Sequence, residues 1–182
     1  MSRYHGAAGR LSTRYDGLKS TDFTCDGCGT KTMSPSMPAG WSADGKEHYC
    51  PGCGGPTGPD NMFLLAYVEA ALWSSTDDNE DPLDGNYGIE DIDPGTMRRM
   101  RADCAKFLRE NEDDINAGSL DDSVDDDEKA GHDFWLTRCG HGAGFWDGDW
   151  PSPADKRLTD AAHAFGEVNL YVGDQGKISD GR

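Results

Sequence analysis

Four cysteines stand in two pairs near the N-terminus, Cys25-Asp26-Gly27-Cys28 and Cys50-Pro51-Gly52-Cys53, each followed at once by glycine (Gly29, Gly54). A Cys-x-x-Cys turn brings two thiolates to one side of an ion, and two such turns complete the tetrahedral shell that Zn²⁺ prefers. The glycines after the turns let backbone amides approach the sulfurs. Between Cys28 and Cys50 lie 21 residues, a spacing close to that of zinc ribbons. Four cysteines close the shell and leave no position for water, so the expected Zn²⁺ is structural, and its binding contributes folding energy to a small module. A rubredoxin-like iron site uses the same knuckles and is the alternative metal.

A second group of reactive side chains lies between Gly131 and Trp150: His132, Asp133, Arg138, Cys139, His141, Asp147 and Asp149, set among aromatic residues. A catalytic reading takes His132 or His141 as general base and Arg138 as the holder of an anion, with Gly140-His141-Gly142 forming a backbone anion nest. A nucleotide-like substrate would suit it. The plainer reading is a glycine-rich hairpin in which Trp135 and Trp146 pack as cross-strand partners. His163, on a short helical segment, reads as a half-buried, hydrogen-bonded histidine. Cys104 reads as a buried helix residue and Cys139 as a turn thiol. The segment Asp77-x-Asn79-x-Asp81 fails the calcium-loop pattern, because Pro82 stands where glycine is required and Gly88 where glutamate is required.

The elements that would position these groups divide into an arm (1–20), a zinc-ribbon module (21–58) and an acidic α+β domain (60–182). In the module, Lys46 to Cys50 reads as a strand entering the second knuckle, and the proline-rich stretch from Met33 to Trp41 excludes a helix. In the domain, Met62, Leu65, Ala66, Val68 and Leu72, with Trp73 behind, predict a helix after Asp60/Asn61. An acidic loop from Asp77 to Asp93 follows, anchored by Leu83, Tyr87, Ile89 and Ile92. Asp93-Pro94 caps a second helix that runs to about Asn111. Residues 112–130 read as an acidic loop or solvated helix end. The periodicity then predicts a hairpin (Asp133–Arg138, turn, Ala143–Asp147), a short helix over Leu158–Phe165 capped by Ser152 or Asp155, and a strand over Glu167–Val172 with a turn at Gly173–Gly176. The expected domain is therefore two helices plus a hairpin–helix–strand unit.

Charge limits the partners. The net charge of the chain is −17. Residues 1–60 hold six basic and six acidic side chains, so the surplus falls on residues 61–182, with 11 basic and 28 acidic. Such a field repels nucleic acid and anionic membranes and favours a basic protein partner. Nucleic-acid contact through residues 1–60, with Phe23, Trp41 and Tyr49 as stacking surfaces, is a lesser alternative, since a neutral module is a poor footprint for phosphate. No run approaches the length needed to span a bilayer. Without an apolar N-terminal segment the expected location is the cytoplasm.

Several segments resemble those of small accessory proteins encoded by bacteriophages and other mobile elements: Ala71–Ser75, Asn86–Ile92, Gly131–Asp147, and Ala161-Ala162-His163 with Tyr171–Asp174. The cysteine module is similar to zinc knuckles of actinobacterial phage proteins that carry a Pro-Ala-Gly-Trp element. The family's turn has a polar residue such as Asn where this chain has Cys139. The resemblance implies an accessory protein acting in the cytoplasm of an infected host cell, and it carries over no catalytic residue. Together with the charge, it points to a non-enzymatic interaction protein that binds a basic host protein such as a defence factor, in its narrowest form as a nucleic-acid mimic that inhibits it.

Overall fold

The computed structural model describes residues 21–25, 31–34, 36–38, 41–44, 47–49, 60–121 and 123–182. Two antiparallel hairpins precede the helices: β1 (Thr21–Thr24) with β2 (Lys31–Ser34), and β3 (Ser42–Asp44) with β4 (Glu47–Tyr49). Phe23 of β1 meets Trp41 and His48 edge-on, at ring-centroid separations of 6.4 and 5.4 Å, which ties one hairpin to the other. The strand expected before Cys50 is β4.

Four α-helices follow among the described residues: α1 (Asp60–Ser74), α2 (Pro94–Ile115), α3 (Asp126–Arg138) and α4 (Ala154–His163). A short pair closes the domain, β5 (Tyr171–Val172) against β6 (Ile178–Ser179). The class is mixed helix and small sheet, as expected, but the internal composition differs. Helix α2 begins as its sequence predicts, with the Asp93 carboxylate accepting the amides of Gly95 and Thr96 at 2.8 and 3.2 Å. It continues past Asn111, where the backbone departs from helical geometry (φ −128°, ψ 18°), through to Ile115. Helix α4 starts four residues before the expected position, with Pro153 at its cap and no side-chain cap bond.

Residues 126–138 depart from the expected hairpin. They form α3, not the first strand of a hairpin. All six residues from Asp133 to Arg138 are buried, so the alternation that suggested a strand had no solvent face to describe. The polar members of the run are satisfied internally: Asp133 accepts Trp150 Nε1 at 2.8 Å, and Thr137 Oγ1 accepts the Phe145 amide at 3.1 Å. Asp125 caps the helix through the Asp127 amide at 3.0 Å, and the acids at 126–128 suit its positive end. The supposed hairpin turn is the helix C-cap. Gly140 adopts φ +70°, its amide bonds to Thr137 O, and the His141 amide reaches back to Leu136 O at 2.9 Å, the paired bonds of a Schellman motif. Trp135 is buried and donates to Ser74 Oγ at 2.8 Å, whereas Trp146 is exposed, so the two are not packing partners.

Helices α1 and α3 form the centre of the domain. They approach so closely at Gly131 that a Cβ there would lie 2.1 Å from the Phe63 carbonyl oxygen. Around this contact sits an aromatic core: Phe134 stacks on Phe107 at 4.1 Å between centroids, with Phe63, Tyr67, Phe145 and Phe165 packed about them. No helix among the described residues is long and apolar enough to cross a membrane.

Candidate interaction surface

Cys25 follows directly on β1 and is fully buried, and the six residues 25–30 that join β1 to β2 include the first knuckle. β4 stops at Tyr49, one residue before Cys50. Cys28, Cys50 and Cys53 lie outside the described residues, as does the arm 1–20. Among the described residues no three potential ligands gather to hold a metal. An enclosed sulfur at the root of a hairpin loop fits a metal thiolate, because a structural site is shielded from water on the side of its strands.

The three candidate catalytic residues are not brought into one site. Arg138 is enclosed, its side chain 1% exposed. Its guanidinium donates to Tyr67 Oη at 2.7 Å, Asp103 Oδ2 at 2.9 Å, Gly166 O at 2.9 Å and Phe165 O at 3.0 Å. Burial pushes the Tyr67 phenol well above its usual range, against the pull of the neighbouring Arg138 charge, so the hydroxyl accepting from Arg138 is neutral. Arg138 is thus a structural tie joining α1, α2, α3 and the 165–166 turn: four of its five N–H donors are engaged, and at 1% exposure the group is closed to a substrate anion. The nest expected at Gly140-His141-Gly142 is also corrected, since the Gly140 and His141 amides are spent on the end of α3.

His132 and His141 face different depressions. His141 lines a cleft of about 250 Å³ with Trp135, Cys139, Glu167 and Asn169. A cysteine and a histidine on one wall invite a nucleophile reading. The Cys139 thiol, however, is directed at Val168 O at 3.5 Å, and burial pushes its pKa up, so it is held as the less reactive protonated form. His132 is about half exposed, with Nδ1 3.2 Å from Asp133 Oδ1. His163, expected to be half-buried, is exposed at the end of α4.

Two surface features remain. The first is an acidic end of the domain. From Glu110 to Glu128 there are ten carboxylates and no basic residue. The last turn of α2 contains no base, although a helix C-terminus favours cations. The turn between α2 and α3 is built to hold this arrangement: Asp126 accepts the Ser119 amide at 2.8 Å, and the Leu120 amide donates to Asp149 O at 2.7 Å. Of the basic residues beside this end, Lys129 is bound by Asp149 at 2.7 Å and Arg157 by Asp114 at 2.8 Å, while Arg109, at its border, lies 3.9 Å from Glu110.

The second is an apolar groove of about 510 Å³ between α1 and the 84–89 segment, lined among others by Leu65, Trp73, Tyr87 and Ile89, with Glu69 and Asp84 on its walls. His132 lies at its margin. Sequence reasoning marked Tyr87 and Ile89 as anchors for the acidic loop, but nothing in their spacing foretold a shared wall with Trp73. Leu83 and Ile92 do act as anchors and are buried, which leaves Tyr87 half-buried and Ile89 exposed beside the groove.

No family model, curated protein or solved structure matches this chain.

Proposed function

We propose that the protein is a non-enzymatic interaction protein whose helical domain binds a basic surface on a protein partner. The observation that carries this reading is the acidic end built by α2, α3 and the turn between them. Carboxylates crowd the C-terminal turns of α2 against the helix dipole, at a local cost in stability. A sequence that tolerates such a cost generally gains something by it elsewhere, and a concentrated surface charge serves recognition. Each contacted Lys or Arg would form a charge-assisted bond, and association would be steered by the field and weakened by salt. In its narrowest form the carboxylates imitate a phosphate backbone and displace nucleic acid from a host protein. Zn²⁺ held by Cys25, Cys28, Cys50 and Cys53 would brace the N-terminal hairpins as a rigid companion module.

The test is affinity capture of partners on the intact protein at low and at physiological salt, beside a variant with Glu110, Glu112, Asp113 and Glu128 exchanged for lysine. A specific basic partner should be retained by the parent at low salt, released as salt rises, and lost by the variant at both. Equal retention by parent and variant would remove the acidic end from the account. Displacement of the partner by duplex DNA distinguishes mimicry from simple acidic binding.

A further inference from the structure

Helix α1 is apolar on nearly every side. Phe63, Leu64, Tyr67, Val68, Ala71 and Leu72 are buried in the domain. A helix with apolar residues all round is built to be covered all round. Yet Trp73, in the groove, is 59% exposed, and Ile89 faces the same groove at 36%. Large apolar side chains grouped in a concavity, with acids at the edge, have the make-up of an interface centre and rim. The rim here is anionic: Glu69 and Asp84 stand in the walls, and the Glu90 carboxylate folds over Gly88, whose Cβ position would be 2.6 Å from Oε2.

We propose that this groove receives a basic amphipathic segment of a partner protein, with one or two bulky apolar side chains seated between Trp73 and Ile89 and flanking Lys or Arg residues facing Glu69, Asp84 and Glu90. The inference rests on the acidic-interaction reading and deepens it, because long-range charge draws the partner in while the groove selects for its shape. Charge complementarity decides the occupant. A second copy of this chain would bring the same acidic rim to the same groove, and each copy has a net charge of −17. Nucleic acid and anionic lipid are repelled by that field. A neutral apolar segment would desolvate the rim carboxylates without giving them partners. A segment that alternates apolar and basic faces satisfies both the floor and the rim.

The test titrates the full-length protein with three synthetic peptides about five turns long: an amphipathic Leu/Lys helix, a scramble of the same composition with no apolar face, and the same helix with Glu for Lys. Binding is read by calorimetry at low salt and at physiological salt. The amphipathic basic peptide should bind about tenfold more tightly than the scramble, the Glu peptide should not bind, and Trp73→Ala and Ile89→Ser should each weaken the basic peptide about tenfold, as aromatic and central interface positions do. Both positions are exposed, so an unchanged melting temperature verifies that the variants are folded. If the scramble binds as well as the helix, or Trp73→Ala binds unchanged while salt still weakens binding, the groove has no part and the acidic reading survives alone. If neither lysine peptide binds at low salt, both readings fall. A parent that sediments as a dimer and a Trp73→Ala variant that sediments as a monomer would make the groove a self-interface and overturn the proposal.

Discussion

Replacing Gly131 by alanine tests the centre of the fold with one methyl group. In an ordinary helix interior this change stabilises by up to about 1 kcal/mol, because alanine restricts the unfolded chain and glycine does not. At Gly131 the sign should reverse. The new Cβ would sit 2.1 Å from the Phe63 carbonyl oxygen and 2.9 Å from Phe63 Cα. Both are backbone atoms of α1, so no rotamer change relieves the clash and one helix must move away from the other. That movement would loosen Phe63 and Phe134, whose ring centroids lie 5.9 Å apart, and disturb the Phe134–Phe107 stack. Overpacking of this kind costs about 1–3 kcal/mol. Backbone-to-backbone contact puts the site at the upper end, so a net loss of about 2 kcal/mol is expected after the helix-propensity gain is subtracted. For a domain of this size that lowers the melting temperature by roughly 6–10 °C. Urea unfolding followed by far-ultraviolet circular dichroism gives the free energy, and Gly85→Ala is the control, since nothing lies within 4 Å of a Cβ there. A Gly131→Ala protein as stable as the parent would refute close α1–α3 contact at this point.

The other substitutions address single ties and the metal. Arg138→Met leaves the Asp103 carboxylate and the Gly166 and Phe165 carbonyls without their donor and should cost about 3–5 kcal/mol in chemical unfolding. Arg138→Lys should recover little of that, because one ammonium cannot span the same acceptors. Asp180 is held well below the usual carboxylate range. Burial opposes its ionisation, but bonds from Arg99 and from the Arg182 amide and guanidinium outweigh it. A depressed folded-state pKa gives stability that is complete above the unfolded-state value and is lost as pH falls below it. The parent's margin over Asp180→Asn should therefore be about 2–3 kcal/mol at neutral pH, moderated by the partial exposure of both arginines, and should shrink below about pH 4. Purified protein should return one zinc ion per chain by native mass spectrometry, and Cys25→Ser should lose it. Visible thiolate-to-iron absorption in the parent would reassign the site to iron.

The parts of the fold legible in the sequence are those where local chemistry and burial agree. Asp93-Pro94 announces α2 because its cap and first turn need nothing from elsewhere, and Met100, Cys104 and Phe107 fall on one buried stripe. Helix α3 is obscured for the opposite reason. Buried around its circumference from Asp133 to Arg138, it has no polar stripe, and a short apolar run flanked by polar residues matches either period. Its signals were at its ends, where Asp125 with three first-turn acids and Gly140 after the last turn mark a helix start and stop. Arg138 misled for a related reason. A basic residue beside histidines suggests an anion, but its acceptors come from residues 67, 103, 165 and 166, which no local pattern brings together. The same holds for the groove, whose walls come from α1 and a loop more than ten residues later in the chain.

The distribution of charge leads to one more expectation, in which salt acts in opposite directions on folding and on binding. At least seven of the eleven basic residues after position 60 are engaged by carboxylates. Most of these pairs join separate elements: Arg138 to Asp103, Arg99 to Asp180, Arg157 to Asp114, Lys129 to Asp149 and Lys177 to Asp91. The bases are thus largely spent on holding the domain together, and the surplus of acids is left to face outward. The most buried of these ties, at Arg138, is shielded from counterions, whereas repulsion among the carboxylates from Glu110 to Glu128 runs through solvent and is screened within about 8 Å at physiological ionic strength. Added sodium chloride should therefore raise the melting temperature by relieving self-repulsion, while it weakens association with a basic partner. A melting temperature that falls with salt in step with binding would mean that exposed ion pairs, and not the excess of like charge, govern the electrostatics of this domain, and the acidic end would then lose its physical basis as a recognition surface.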